Sequence, residues 1–449
     1  MKYNSDNIAA ISTPMGVGAI AVVRISGKSL SQLYYKLTNE KQIQDRLAIN
    51  TNIYCPNTHK ILDNCILIYY LSPRSFTGED LIEINCHGGE FVPKSIIKSL
   101  NNYGIRLANP GEFSYRAFIN GKIDLSQAEA ISELIKSKAS IQAKINVKNI
   151  SGYVSKHVNK IKQNLLNLLS IIEHELDFSE DEIDHTSYET IYVQLTKIKS
   201  DLEELSQTSI FGRQLFDGIK IVLMGAPNSG KSSLFNAIVG KDRVIVSDVS
   251  GTTRDAIESW FNLEGVPVCL IDTAGIRETA DNLEKEGIVQ GAKIAKNADI
   301  ILFLDEKDPQ KQFNKTLKKI HAKNKKIILL HTKSDKRTVK NTLKKTISIS
   351  SVNRNGIRRL LTDISTHIRS KTGALAVDSP VVASNRQLML VNRAIFELEE
   401  VASDVKNNTS IDIIASSMSR ICDILGEIVG DVKSIDAIHN IFNKFCVGK

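Results

Sequence analysis

The spacing of apolar residues divides the chain into stretches of different character. Through the first ~120 residues, short apolar runs alternate with Gly, Pro and Ser. Ala19 to Ile25, Ile66 to Leu71 and Leu81 to Asn85 are predicted as strands of an α+β domain. From Leu125 to Phe178 the period changes to that of long amphipathic helices, with Leu165, Leu168, Leu169, Ile172 and Leu176 on one stripe. Ser126, with Glu129 three residues on, predicts a capping box at their start. The acidic stretch from Ser179 to Asp184 predicts a solvated loop, and a further helix runs to about Gln207.

From Gly218 onward, Ile219–Met224, Val268–Ile271, Ile300–Leu304 and Ile327–Leu330 are short apolar runs that alternate with helical segments. That pattern predicts βαβ units around a parallel sheet, ending near Thr372. Beyond Pro380 two apolar stripes recur at helical spacing: Leu388, Val391, Ile395, Leu398 and Val401, then Ile414, Met418, Ile421, Leu425 and Ile428. Helices need a partner for their apolar faces, so the α/β segment is expected to be inserted in one helical domain.

Length and composition agree with this division. A chain of 449 residues is too long for one core, so two or three domains are expected. Hydrophobic content of 42% and charged content of 24% are those of a soluble globular protein. The net charge of +8 permits contact with nucleic acid without requiring it. The six cysteines form no CxxC pair, which points to reduced thiols and not to a zinc site or disulfide framework. The polar N-terminus and the lack of a long apolar run predict a soluble, cytoplasmic protein without a membrane segment.

The chemistry concentrates in the α/β segment. Gly225-Ala226-Pro227-Asn228-Ser229-Gly230-Lys231-Ser232 fits GxxxxGK[ST] between a predicted strand and helix. Such a loop wraps phosphates with inward N–H groups; Lys231 reaches the β- and γ-phosphates and Ser232 ligates Mg²⁺. Asp272-Thr273-Ala274-Gly275 ends a strand, where an acid holds Mg²⁺ through water and the Gly N–H senses the γ-phosphate. Gly251-Thr252-Thr253-Arg254-Asp255 supplies a threonine to complete the metal shell. Loops ordered by γ-phosphate and released on hydrolysis define a GTP switch.

The guanine reader, usually Asn-Lys-x-Asp, reads Thr332-Lys333-Ser334-Asp335. Asp335 accepts from the guanine N1–H and exocyclic amine, so guanine specificity is expected to be kept. Loss of the Asn amide at Thr332 is expected to weaken affinity. Ser350-Ser351 is the candidate final base-contact loop. After Gly275 stands Ile276, which cannot orient the attacking water. Glu284 is a candidate for that role, although by residue type alone it reads as a solvated carboxylate.

Further motifs span the whole chain. Ile8-Ala9-Ala10-Ile11-Ser12-Thr13-Pro14 leads into Val23-Arg24-Ile25-Ser26-Gly27. Ser75-Phe76-Thr77-Gly78-Glu79-Asp80 runs on to His87-Gly88-Gly89, and Pro110-Gly111-Glu112-Phe113 on to Asn120-Gly121-Lys122. The chain closes on Cys446-Val447-Gly448-Lys449. Together these resemble the MnmE (TrmE) family of tRNA-modification GTPases.

The resemblance implies a tetrahydrofolate-binding, homodimerising domain at 1–121 and helical segments at 122–214 and 374–449. It places a P-loop GTPase domain at 215–373, inserted in that discontinuous helical domain. It implies work with a flavin-dependent partner, as a heterotetramer, on the wobble uridine of tRNA, using a 5-formyl or 5,10-methylene tetrahydrofolate. Arg24, Glu83, Lys122 and Lys449 fall at the folate positions, and Cys446 at the functional cysteine. GTP or GDP falls to Asn228, Ser229, Gly230, Lys231, Ser232 and Ser233, with Asp272, Thr273, Ala274, Gly275, Thr332, Lys333, Asp335 and Ser350.

The loop Ser247, Asp248, Val249, Ser250, Gly251 and Thr252 also falls on this site. Within it, Asn228, Ser247, Val249 and Thr252 match the family's potassium site. Thr253 matches the Mg²⁺ threonine, and Glu284 the water-positioning acid. Met15, Val17, Ala19 and Thr332 depart from the family pattern. A GTP-dependent RNA-binding or ribosome-assembly factor and a scaffold with a decayed G domain remain the alternatives.

Overall fold

The computed structural model describes residues 6–176, 186–226, 228–243, 257–272, 294, 296, 298–317, 325–336, 346–372, 380–382, 384–431, 438, 441–443, 445 and 448. The chain separates into two compact units. One comprises 1–133, 148–203 and 389–449; the other comprises 134–147 and 204–388.

The first unit opens with the strands β1 (Ile8–Ile11) and β2 (Ile20–Gly27), helix α1 (Ser31–Thr38), and the strands β3 (Ala48–Tyr54), β4 (Ile61–Tyr70) and β5 (Asp80–His87). Helix α2 (Phe91–Asn102), strand β6 (Arg106–Leu107) and helix α3 (Glu112–Ile119) follow. The six strands lie in the order β3-β4-β5-β2-β1-β6. Alternation along them sends Val23, Ile25, Leu67, Ile82 and Ile84 to a core that includes Leu33, Leu37, Ile96 and Leu100 of α1 and α2. The residues between them, Arg24 and Glu83 included, go to the opposite face.

The first unit holds a buried guanidinium. Arg116, 1% exposed, donates to Glu79 and Glu112 at 3.0 and 3.1 Å and to the Asp6 carbonyl at 2.8 Å. A buried guanidinium needs this many acceptors, because each unpaired donor would cost desolvation without return.

The helical part begins with α4 (Leu125–Lys136), α5 (Ser140–Ile150), α6 (Tyr153–Leu176) and α7 (Tyr188–Asp217). The capping box at its start differs from the expected one. Asp124 Oδ1 accepts the Gln127 N–H at 2.8 Å, and Gln127 Oε1 accepts the Asp124 N–H at 2.9 Å. Helix α4 starts at Leu125, so Ser126 and Glu129 already lie inside it, and both are buried. The acidic stretch Ser179–Asp184 lies outside the described residues.

The second unit holds β7 (Ile219–Gly225), α8 (Lys231–Arg243), β8 (Ile257–Leu263), β9 (Val266–Asp272) and β10 (Ile300–Asp305). It continues with α9 (Pro309–Leu317), β11 (Lys326–His331), β12 (Thr346–Ser348) and α10 (Ile357–Thr372). Its sheet has the order β12-β11-β10-β7-β9-β8, parallel except for β8. Leu223, Leu270, Leu302 and Leu330 pack on Leu234, Ile238, Leu360 and Ile364 on one side. Cys269, Ile301 and Phe303 pack with Phe313 on the other. This is the doubly covered parallel sheet that the apolar runs predicted.

Trp260, on the edge strand β8, lies under the Lys138 ammonium, 3.9 Å from the ring centroid. It also packs against Gly218: a side chain there would meet Trp260 Cζ3 at 2.4 Å.

The last helices are α11 (Asn385–Lys406) and α12 (Ile411–Val429). On α11 the buried stripe runs through Val391, Ala394, Leu398 and Val401, with Ile395 only half-buried, because a 3.6-residue period carries the face onto the smaller neighbour. Ile414, Met418, Ile421, Leu425 and Ile428 of α12 are all buried. Helix α12 packs on α6, so helices from before and after the α/β segment share one core.

Candidate functional site

The phosphate loop is built by a strand that must turn sharply into a helix. Gly225 ends β7 with φ +151°, where a side chain would meet the Leu304 carbonyl of the neighbouring β10 at 2.1 Å. Asn228 and Gly230 follow with φ of 59° and 94°. Positive φ at these positions turns successive N–H groups toward one side, forming a concave anion site. Helix α8 begins at Lys231 and has no acidic residue in its own first turn to oppose the positive end of its dipole, which faces that concavity.

Lys231 is 9% exposed, and its ammonium donates to the Gly225 and Ala226 carbonyls at 3.1 and 2.9 Å. The cation thus lies across its own loop, where it can transfer from carbonyl oxygens to phosphate oxygens. Ser229 Oγ is buried and makes no hydrogen bond among the described residues. Ser232 and Ser233, in the first turn of α8, are exposed. Asp272 ends β9 and is 1% exposed, in register beside Leu223 of β7. An exposed hydroxyl on the helix start and a carboxylate on the adjacent strand end are groups that would hold a magnesium ion, which would offset charge on the phosphates.

The candidate base-reading residues are also placed by the fold. Thr332 is 5% exposed and lies next to the phosphate loop; its Cβ is 3.9 Å from where a Gly230 side chain would begin. Its hydroxyl finds no hydrogen-bond partner among the described residues. Lys333 takes φ 56° and ties its ammonium to Glu306 at 2.7 Å. Asp335 is exposed and accepts a 2.6 Å hydrogen bond from Ser350 Oγ, which holds its carboxyl below the usual aspartate range. The structure therefore joins Asp335 and Ser350 and fixes the free carboxylate edge as an acceptor. Glu306 carries no motif and was not among the sequence candidates; only its place after β10 brings it to Lys333.

A second cluster lies on the face of the first sheet opposite α1 and α2. Arg24 and Glu83 are register partners on β2 and β5. Arg24 Nε and Nη2 both donate to Glu83 Oε1, at 2.9 and 2.5 Å. The guanidinium lies 5.9 Å from the ring centroids of both Phe76 and Phe113, and Tyr70 donates to Glu83 Oε2 at 3.3 Å. The C-terminal motif reaches the same face: the Gly448 carbonyl accepts from Ser12 Oγ at 3.1 Å and from Arg24 Nη1 at 3.4 Å. Arg24 is thus not a free cation waiting for a ligand carboxylate, since Glu83 already neutralises it. Phe76 and Phe113 stand inside the quoted motifs, but their place beside Arg24 could not be read from the spacing.

Lys122 is exposed, with its ammonium on the Pro73 carbonyl at 3.0 Å. A cavity of about 160 Å³ opens at the Thr13–Gly18 turn, lined among others by Ile11, Met15, Val17 and Pro93. Neither Arg24 nor Glu83 lines it. Pro227, Ser247, Asp248, Val249, Ser250, Gly251, Thr252, Thr253, Thr273, Ala274, Gly275, Glu284, Cys446 and Lys449 lie outside the described residues.

Residues 7–122 match the family description "GTP-binding protein TrmE N-terminus", and residues 125–446 match "MnmE helical domain". The tRNA modification GTPase MnmE of Aquifex aeolicus is 37% identical over 451 residues, covering 98% of this chain and 99% of that protein. That of Alkaliphilus oremlandii is 35% identical and covers both chains completely. This chain belongs to the MnmE family of tRNA modification GTPases. As a member it is a GTP hydrolase. No helix among the described residues is long and apolar enough to cross a membrane.

Proposed function

We propose that the chain hydrolyses GTP in the course of modifying the wobble uridine of tRNA. The observation that carries this reading is the phosphate loop, with Lys231 lying across a cradle of positive-φ residues at the start of α8. The full-length likeness to tRNA modification GTPases supports the substrate. Lys231 follows the charge that develops on the transferred phosphoryl group, while Asp335, Lys333, Thr332 and Ser350 hold the base. Ser232 and Thr253 would hold Mg²⁺, and Asn228 with Ser247, Val249 and Thr252 would hold K⁺; such cations offset charge on the phosphates. Glu284 positions the attacking water.

The Arg24–Glu83 pair, between Phe76 and Phe113, suits a flat heterocycle that offers both donors and acceptors. A tetrahydrofolate is such a ligand, and with Lys122, Lys449 and Cys446 this face would serve one-carbon chemistry shared with a flavin-dependent partner. The working form is a cytoplasmic homodimer, divided at 1–121, 122–214, 215–373 and 374–449.

The test is GTP hydrolysis in potassium against sodium, for the wild type and Glu284→Ala. Strong potassium stimulation, lost in the variant while GDP still binds, is expected. Equal rates in both salts would remove the potassium mechanism. Tetrahydrofolate binding that Arg24→Ala abolishes separates this reading from a GTP-dependent RNA-binding or ribosome-assembly factor.

A further inference from the structure

The positive charge of the chain is unevenly placed. From Leu134 to Ile172 there are seven lysines and no aspartate or glutamate, against a net charge of +8 for all 449 residues. Helix α6 occupies much of this stretch. Its apolar side, Val154, Val158, Ile161, Leu165, Leu168, Leu169 and Ile172, is buried. Its other side exposes Lys156, Asn159, Lys160, Gln163, Asn164 and Asn167. Lys162 is spent on Asp431 at 2.8 Å, whereas Lys156 and Lys160 have no ion pair among the described residues.

A helix face kept only for solubility mixes signs, because a glutamate one turn from a lysine stabilises the helix and a second lysine there does the reverse. Other helices of this unit follow that rule. Lys199 of α7 pairs with Glu203 and with Glu399 of α11 at 3.4 and 2.8 Å, and Arg420 of α12 approaches Glu397 at 3.9 Å. Helix α6 instead places Lys156 and Lys160 one turn apart and carries no acid in its first turn, where an acid would complement the dipole. At that same end Tyr153 is 38% exposed, with the Lys148 ammonium 5.7 Å from its ring centroid.

Lys156 and Lys160, without an ion pair among the described residues, the amide side chains beyond them and an accessible aromatic ring make a surface for an anionic polymer that also offers hydrogen-bond groups and stacking faces. From Lys156 to Asn167 the face extends about 16 Å along the helix, enough to follow several phosphates of one strand. We propose that Lys148, Tyr153, Lys156 and Lys160 form the surface on which this chain holds the tRNA backbone. The assignment rests on the reading of tRNA as substrate and adds where the chain holds it.

The test measures tRNA affinity of the full chain against salt concentration. Each phosphate contact adds roughly 0.7 to 0.9 to the slope of log K on log salt. Lys156→Ala with Lys160→Ala is expected to lower the slope by about 1.5 and the affinity at 0.1 M salt by roughly 30-fold. Lys98→Ala with Lys197→Ala, the same charge change on exposed lysines of α2 and α7, is expected to leave the slope unchanged. GTP hydrolysis without tRNA is expected to be the same in all three proteins, which shows that the fold is intact. A double variant at Lys156 and Lys160 that keeps the wild-type slope overturns the assignment while leaving tRNA as substrate. Equal losses in both double variants also overturn it, in favour of diffuse attraction. A wild type that binds anionic vesicles but no tRNA overturns both the assignment and the substrate reading.

Discussion

Thr332 makes the sharpest test of the proposed base-reading side. Its hydroxyl is buried in the second unit without a hydrogen-bond partner among the described residues, while its backbone N–H is satisfied by the Asp305 carbonyl at 3.0 Å. Valine has the same shape and lacks only the hydroxyl. A buried hydroxyl without a partner costs about 1–3 kcal/mol of desolvation, so Thr332→Val is expected to stabilise the nucleotide-free protein by about 1–2 kcal/mol. For a unit of this size that corresponds to a rise of roughly 2–8 °C in its unfolding midpoint. The chain has one tryptophan, Trp260, on β8 of the same unit, so thermal unfolding followed by its fluorescence reports the relevant transition.

The same site sets an expectation for binding. Thr332→Asn puts an amide beside the phosphate loop, since the Thr332 Cβ lies 3.9 Å from where a Gly230 side chain would begin, and it supplies both donor and acceptor there. One added hydrogen bond of about 1 kcal/mol tightens GDP binding about fivefold. A lower midpoint for Thr332→Val would show that the hydroxyl is satisfied after all, and the argument would fail. Unchanged GDP affinity in Thr332→Asn would show that the missing amide does not limit binding.

Two further outcomes depend on pH. Ser350→Ala removes the hydrogen bond that holds Asp335 below the aspartate range. The pH at which GDP binding fails on the acid side is expected to rise, as a pH series of GDP titrations would show. Glu112 is buried, which raises its pKa, but Arg106 at 2.7 Å, the Asn109 N–H at 2.8 Å and Arg116 at 3.1 Å bring it below the ordinary glutamate value. Its contribution is therefore full above the unfolded-state pKa and lost as pH falls through the lower folded value. Glu112→Gln is expected to destabilise the first unit by about 3 kcal/mol at neutral pH and to flatten its acid unfolding profile, measured by circular dichroism.

Elements whose physics is local were legible in the sequence. The phosphate loop is one, because contiguous backbone wraps the phosphates and the glycine positions are dictated by φ. The four runs of the parallel sheet are another, because strands covered on both faces must be apolar throughout. The stripes of α6 and α12 were also legible, since helical period alone decides which side is buried. The capping box was misplaced. Ser126-x-x-Glu129 was expected to form it, and the start of α4 at Leu125 gives the role to Asp124 and Gln127. On α11 a one-residue drift put Ala394 in the core in place of Ile395.

The remaining features depend on residues distant in sequence. Arg24 meets Glu83 because β2 and β5 pair in one register. A slip of one residue would have sent one of them to the core. Asp335 is ordered by Ser350 and Lys333 by Glu306 because parallel strands end on the same side of the sheet. Arg116 is tolerated inside because Asp6, Glu79 and Glu112 converge on it from three segments. Composition gave the net charge, but a sum has no location. Burial of one side of α6 decided which lysines face water. Sequence by itself determined the elements and the nucleotide chemistry, because backbone geometry and period act over a few residues. Tertiary structure decided which charges are neutralised and which stay open, because ion pairing depends on distances that only folding sets.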